Sequence, residues 1–371
     1  MFAAEPGASM QGRFGGIIPS MQVLLQGDHD HAHSELLELP GAYEWWYFDA
    51  VSDDREYSFV SIWFIGNPFS PYYRLSALNL DAYAFDHSAV FFALYKKGAL
   101  DAYHFTRIPR RDINLDGHPL RMTFGPNILT RTAQGWRLIL NDENGNRRRL
   151  AADLLVQPPF AANPASEVND AGILGDDGHF WQPAMPYCRV SGHISRIGYI
   201  GVASEDLSFS GVGYQDHNWG KLPFKGDTRE WYWARLSFDD GLVAVLYCVR
   251  HGVGWQANLL VFAQGRCILS DNNTKVELGS YRINAFGLRH STEIKAASGN
   301  LRVVFSLRER VDSAPFYIRF HCAGRLEGPG RDPVKGERSG AGFAEYFRPG
   351  SMAGSVTASA MKARIVDAEW M

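Results

Sequence analysis

The sequence predicts an all-β protein made of two antiparallel barrels or sandwiches. Short apolar runs recur at roughly 8–15-residue spacing, divided by turns rich in Asp, Asn and Gly. Helical periodicity is weak throughout. At 371 residues the chain is long for one domain, so two are expected.

In chain order, residues 1–35 read as an irregular lead-in. They include Asp28-His29-Asp30-His31-Ala32-His33, where alternate histidines could share a strand face toward a metal but read more simply as solvated peptide. Tyr43-Glu44-Trp45-Trp46-Tyr47-Phe48-Asp49-Ala50 is aromatic on both faces, as a strand buried on both sides would be. Asp53-Asp54 is a turn, 57–65 the returning strand, and Gly66–Pro71 a rigid loop. Further strands are expected at 74–85, 88–97, 100–107, 135–141 and 147–155. Residues 157–186, rich in Pro, Gly and Asp, read as a domain junction or pocket cover. A second series of strands runs from 187 to 324 and closes with Gly342–Pro349. The expected domains are therefore 1–35, 36–186 and 187–371. A short helix is expected only within 66–73 or in the tail.

Composition narrows the function. Hydrophobic residues are 46% of the chain, enough to build cores without disulfides. The 23 Phe, 16 Tyr and 10 Trp suit an apolar ligand cavity as well as a β core. Net charge is −3 without long charge runs, which argues against a nucleic-acid stripe or a polybasic membrane patch. Cys188, Cys248, Cys267 and Cys322 form no CxxC pair, so buried thiols in a reducing compartment are expected. Residues 1–27 lack a secretory pattern, and no apolar run approaches the ~18–20 residues that span a bilayer. A cytoplasmic protein without stable membrane insertion is the expectation.

The densest chemistry lies in Gly211-Val212-Gly213-Tyr214-Gln215-Asp216-His217-Asn218-Trp219-Gly220. On a strand, Gln215, His217 and Trp219 share one face, and Tyr214, Asp216 and Asn218 the other. The stretch reads either as an acid–base site in an apolar pocket or as a hydrogen-bonded structural corner in which Trp219 fills core.

Glu44-Trp45-Trp46-Tyr47-Phe48-Asp49 and Gly213–Gly220, in this order, resemble the paired signatures of the carotenoid 1,2-hydratase (hydroxyneurosporene synthase) superfamily. It includes meroterpenoid class II-type cyclases and decalin-forming Diels–Alderases. The resemblance spans about residues 40–350. It implies two lipocalin-like antiparallel β-barrels packed together, an apolar ligand in or between them, and catalysis without metal or organic cofactor. Consistently, no P-loop, GxGxxG after a strand or zinc spacing is present.

The resemblance also implies roles. The hydratases' His and Trp match His217 and Trp219, and their later-strand Tyr matches Tyr247. Their partner aspartate is missing at 248 and 249. The cyclase branch implies a buried acid from the first barrel, for which Asp49, Asp81, Asp86 and Asp101 are candidates. Asp216, Asp101 and Asp49 are carried forward as possible proton donors.

Hydration and cyclisation of an isoprenoid both begin when an acid protonates an alkene. A carboxylic acid kept neutral by burial suits this step, and aromatic faces then steady the cation. Wall candidates are Trp46, Trp63, Tyr72, Tyr73, Trp231 and Trp233, with Trp45, Tyr47 and Asp49 sharing a face and Phe69 in the Pro-rich loop. Arg348, with Glu345, could anchor a polar head group or form a surface ion pair. The leading reading is an acid–base enzyme acting on an isoprenoid, prenylated aromatic or polyene, leaning to cyclisation because of the missing aspartate. A pericyclase and a non-catalytic lipocalin-type carrier are the alternatives.

Overall fold

The structure is a computed structural model of the chain. It describes residues 22–23, 25, 31–73, 82–117, 119–144, 148–159, 179–197, 205–220, 228–252, 254–329, 335–353, 357, 359 and 366–367. The first sheet contains β1 (Gln22–Val23), β2 (Tyr43–Ser52), β3 (Tyr57–Ile65), β4 (Ser88–Lys96), β5 (Ala99–Ile108), β6 (Ile113–Asp116), β7 (Arg121–Phe124), β8 (Asn127–Thr132), β9 (Gly135–Asn144), β10 (Arg148–Gln157), β11 (His179–Ile197) and β12 (Glu205–Gly220). The second contains β13 (Thr228–Ser237), β14 (Leu242–His251), β15 (Gly254–Ala263), β16 (Arg266–Asp271), β17 (Lys275–Ile283), β18 (Arg289–Ser298), β19 (Leu301–Ser313), β20 (Tyr317–Pro329) and β21 (Lys335–Phe347). A last short strand, β22 (Val366–Asp367), returns to the first sheet beside β5.

The two sheets are wired alike. Each is a set of antiparallel hairpins in which an early strand pairs with the last long one: β2 with β12, and β13 with β21. This pairing joins the early hairpins of each sheet to its late strands, and leaves β22 and β6 at the ends of the first path and β16 and β17 at the ends of the second. The all-β, two-barrel architecture is as expected. The division between barrels is not at 186/187. β11 and β12 both belong to the first sheet, so the chain crosses between Gly220 and Thr228. The Pro- and Gly-rich stretch that suggested a junction instead joins β10 to β11 within one barrel, and 160–178 of it lies outside the described residues.

Local chemistry explains other departures. β11 slips register twice, between Gln182 and Met185 and between Met185 and Cys188. Pro183 and Pro186 stand in these intervals and have no N–H for the ladder. The strand expected at 74–85 is not seen where described: 84–87 is a 3-10 turn, while 74–81 lies outside the described residues. Residues 71–73 are helical, in the loop where a helix was expected. A four-residue helix, Ser34–Leu37, precedes β2. Among the described residues no helix is long and apolar enough to cross a membrane.

Three cores result. Trp46, Phe48, Phe59 and Trp63 fill the first barrel with Trp136. Tyr232, Ala234, Leu246 and Phe320 fill the second. The third core lies between the barrels, where Trp45, Tyr47 and Phe64 meet Trp231, Trp233 and Tyr247. β2 is therefore buried on both faces, which accounts for its unbroken aromatic run. Gly213 serves the same packing: a Cβ there would stand 2.4 Å from the Asp49 carbonyl oxygen, so β12 could not lie as close to β2.

A buried ion pair crosses the contact between barrels. Asp49 on β2 accepts from Arg235 on β13, and both are at most 1% exposed. The Asp101–Arg196 pair is at least partly solvated, with side chains 19% and 22% exposed. Asp49→Ala should therefore cost about 3–5 kcal/mol by leaving a guanidinium buried and unpaired, whereas Asp101→Ala should cost about 1 kcal/mol or less. Urea unfolding of the two variants measures the contrast.

Candidate active site

A cavity with about 870 Å³ of free space, part of it open to solvent, lies between the barrels. Because side chains alternate along a strand, β2 sends Trp45 and Tyr47 into it and turns Trp46 the other way. β3 and β4 add Phe64 and Phe91. The facing wall carries Trp231 and Trp233 from β13 and Tyr247 from β14. Phe69, from the Pro-rich loop, closes edge-on against Trp45, Trp231 and Phe347.

One acid from the first wall enters this aromatic chamber. Asp216 is 5% exposed and lines the cavity. Its Oδ2 accepts from Trp181 Nε1 at 2.8 Å and from the Tyr214 hydroxyl at 2.9 Å. Its Oδ1 accepts from Asn218 Nδ2 at 2.7 Å. Burial pushes the carboxyl up to about 7, against those three hydrogen bonds and helped by the negative charge of Glu345. At neutral pH a large share of the acid form is present, while three fixed donors wait to stabilise the carboxylate left after proton loss.

His179, at the start of β11, joins it in the cavity wall. Its ring stacks on Trp45 at 5.1 Å and its Nδ1 lies 3.2 Å from the Tyr43 hydroxyl. Burial lowers it to about 3, so it is neutral near pH 7. The second wall adds charge. Arg319 donates through Nε and Nη2 to Glu345 Oε1 at 3.2 and 3.1 Å, with its guanidinium 5.0 Å from the Phe91 ring centre.

Not every expected site residue faces this cavity. Asp216, Tyr247, Trp231 and Trp233 do, as do Trp45, Tyr47, Phe69 and Glu345. His217 and Trp219 point to the opposite face of β12. There His217 stacks on Trp46 at 4.6 Å and donates from Nε2 to Glu44 Oε1 at 2.7 Å. His33 donates from Nδ1 to the same oxygen at 2.7 Å and stacks on Trp219. Burial raises Glu44, but the bonds from His217 and His33 outweigh it and hold the carboxyl below its usual range. The donor atoms of His33, Glu44 and His217 lie within 4.8 Å of one another, a spacing a divalent ion could bridge. As they stand they satisfy one another by hydrogen bonds.

Other candidates are corrected outright. Trp46 and Trp63, expected in the pocket wall, belong to the first barrel's own core. Asp49 faces the contact between barrels but is bound by Arg235, and Asp101 is bound by Arg196 away from the cavity wall. Tyr73 is wholly buried and spends its hydroxyl on the Ala42 carbonyl. Tyr72 and Arg348 are not among the cavity-lining residues, and the Arg348 side chain is exposed. Asp86 sits in the 3-10 turn, and Asp81 lies outside the described residues. The sequence reading missed His179, Trp181 and Arg319. Only Arg319 had a visible signal, a charge set inside the apolar run Tyr317-Ile318-Arg319-Phe320.

The family profile described as "Carotenoid hydratase CrtC" matches residues 61–337. The chain belongs to the CrtC carotenoid hydratase family. Among the family's relatives, it is 28% identical over 307 residues to the acyclic carotenoid 1,2-hydratase of Thiocapsa roseopersicina, covering 81% of this chain and 70% of that one. It is 25% identical over 310 residues to the hydroxyneurosporene dehydrogenase of Chlorobaculum tepidum, covering 76% and 78% of the two chains. In fold it is similar to an AttH protein of Nitrosomonas europaea, with TM-score 0.57, 16% identity and 87% and 97% of the chains covered. It is similar also to CghA, solved with Sch210972, with TM-score 0.55, 10% identity and 83% and 89% covered. Membership in the CrtC family supports a hydratase-type enzyme.

The raised Asp216 has a consequence for stability. A folded-state value of about 7 against the usual 3.8 means the fold favours the neutral acid. That contribution is complete below about pH 4 and is lost as pH rises through about 7. Wild-type stability should therefore fall by a few kcal/mol across this window, and Asp216→Asn should remove that part of the slope. Unfolding curves at pH 4, 5.5, 7 and 8 give the comparison.

Proposed function

We propose that this protein hydrates a terminal double bond of an acyclic polyene, with Asp216 as the proton donor. The observation that carries the reading is a carboxyl that burial pushes up to about 7, bonded to three neutral donors and facing a cavity walled by tryptophan and tyrosine. Asp216 gives its proton to the alkene carbon. The resulting carboxylate is steadied by Trp181, Tyr214 and Asn218, and the tertiary cation by the faces of Trp45, Trp231 and Tyr247, at about 0.5–2 kcal/mol each. Water then adds to the cation.

The sequence leaned to cyclisation because β14 lacks an aspartate beside Tyr247. That argument weakens once Asp216 stands in the same cavity as Tyr247, supplied by β12. Arg319, Glu345 and Asp312 make part of the wall suited to holding water, which favours an alcohol over a ring. The Thiocapsa roseopersicina relative is named for hydration of acyclic carotenoids, and this supports the same substrate class here.

Incubation with lycopene, an acyclic carotenoid, in D2O should give a tertiary alcohol carrying one new C–D bond. A ring without deuterium would indicate a pericyclase, and lycopene bound but recovered unchanged a carrier. Asp216→Asn should lower kcat by about 10²–10⁴-fold. In the wild type, kcat should fall as pH rises past about 7, because the acid form is the reactive one.

A further inference from the structure

We infer that Glu345 is the base that takes a proton from the attacking water, completing an acid–base pair with one carboxyl from each barrel. The inference rests on the hydratase reading and adds a residue to it.

The register of the second sheet places Glu345. It pairs with Arg319 on β20 and with Trp233 on β13, and Trp233 pairs with Tyr247 on β14. Arg319, Glu345, Trp233 and Tyr247 therefore form one row across the wall, and all four line the cavity. The far end of the row packs on the groups that hold Asp216. Trp233 lies 5.4 Å from Tyr214, and Tyr247 lies 5.8 Å from Trp181, ring centre to ring centre. Glu345 and Asp216 thus line the same chamber from different barrels.

The two carboxyls have opposite surroundings. Asp216 is held by neutral donors alone, a Trp, a Tyr and an Asn. Glu345 is held by a guanidinium 2% exposed, and both of its hydrogen bonds from Arg319 go to Oε1. A guanidinium faces Glu345 where only neutral groups face Asp216, and that contrast in partners suits one carboxyl to accept a proton and the other to give one. Two other groups compete for the role. Asp312 also pairs with Arg319 but lies one strand farther from Trp233. His179 is near the Asp216 side, with Nδ1 beside the Tyr43 hydroxyl.

The step balances. The Asp216 O–H bond breaks as the alkene π pair forms a C–H bond, leaving a tertiary cation. The water oxygen forms the C–O bond, and its proton passes to the Glu345 carboxylate. Solvent later carries that proton back to Asp216. Nothing is oxidised or reduced.

The test uses the full chain with lycopene in D2O, following both alcohol formation and deuterium exchange into recovered lycopene. In Glu345→Gln the cation still forms by addition of a deuteron and loses a C–H proton to the Asp216 carboxylate, so exchange persists while alcohol falls at least 10²-fold. Glu345→Asp keeps a charge for Arg319, guards against a folding defect, and should restore part of the alcohol. Asp216→Asn should lose both readouts. Alcohol at the wild-type rate in folded Glu345→Gln overturns the inference. So does equal loss of alcohol and exchange, or loss of alcohol in His179→Gln with Glu345→Gln unaffected. Wild-type protein that gives neither alcohol nor exchange overturns the hydratase reading itself, and the base with it.

Discussion

A strand buried on both faces must serve two cores at once, and this protein depends on that constraint. β2 and β12 lie at the centre of the first sheet, with the second barrel packed against one side. Their alternate residues therefore divide between the barrel interior and the contact between barrels. A one-residue slip would exchange the two sets, moving His217 to the cavity and Asp216 into the barrel. Ten consecutive residue pairs between β2 and β12 hold the register. The chemistry of the cavity is set by that parity before any side chain adjusts.

The same burial creates a problem that the fold answers in three ways. Asp49, Glu44 and Asp216 all leave water on or beside the β2–β12 pair. Asp49 is neutralised by the Arg235 guanidinium, which ties the barrels together. Glu44 receives two imidazoles and a backbone N–H, which ties the segment before β2 to the barrel. Asp216 alone receives only neutral donors. Burial raises Asp49 even against the Arg235 guanidinium, the imidazoles hold Glu44 below its usual range, and burial pushes Asp216 up to about 7. Of the three, Asp216 is the one in the cavity wall, and its carboxyl is not tied to a cationic side chain.

His217 illustrates how family resemblance and geometry bear on different questions. The stretch Asp216-His217-Asn218-Trp219, which carries the resemblance, lies within the matched residues 61–337, and both faces of β12 contribute to it. His217 and Trp219 lie together with Trp46, Glu44 and His33, on the far side of the strand from Asp216 and Asn218. Their contacts fix β12 against β2 and the preceding segment. Asp216 and Asn218 meet whatever occupies the chamber.

From the sequence alone, the all-β class, the two-barrel plan, the double burial of β2 and the division of β12 into two faces could all be read. Each follows from local periodicity and turn chemistry, which neighbouring residues are enough to specify. The sheet membership of β11 and β12 could not be read, because pairing partners far apart in sequence decide it and the prolines of β11 imitate a boundary. Nor could the choice between the two faces of β12. Trp46 and Trp45 are equivalent as letters, and so are Asp49, Asp101 and Asp216. What separates them is whether the second barrel, a guanidinium or an empty space stands opposite, and only packing of distant strands settles that.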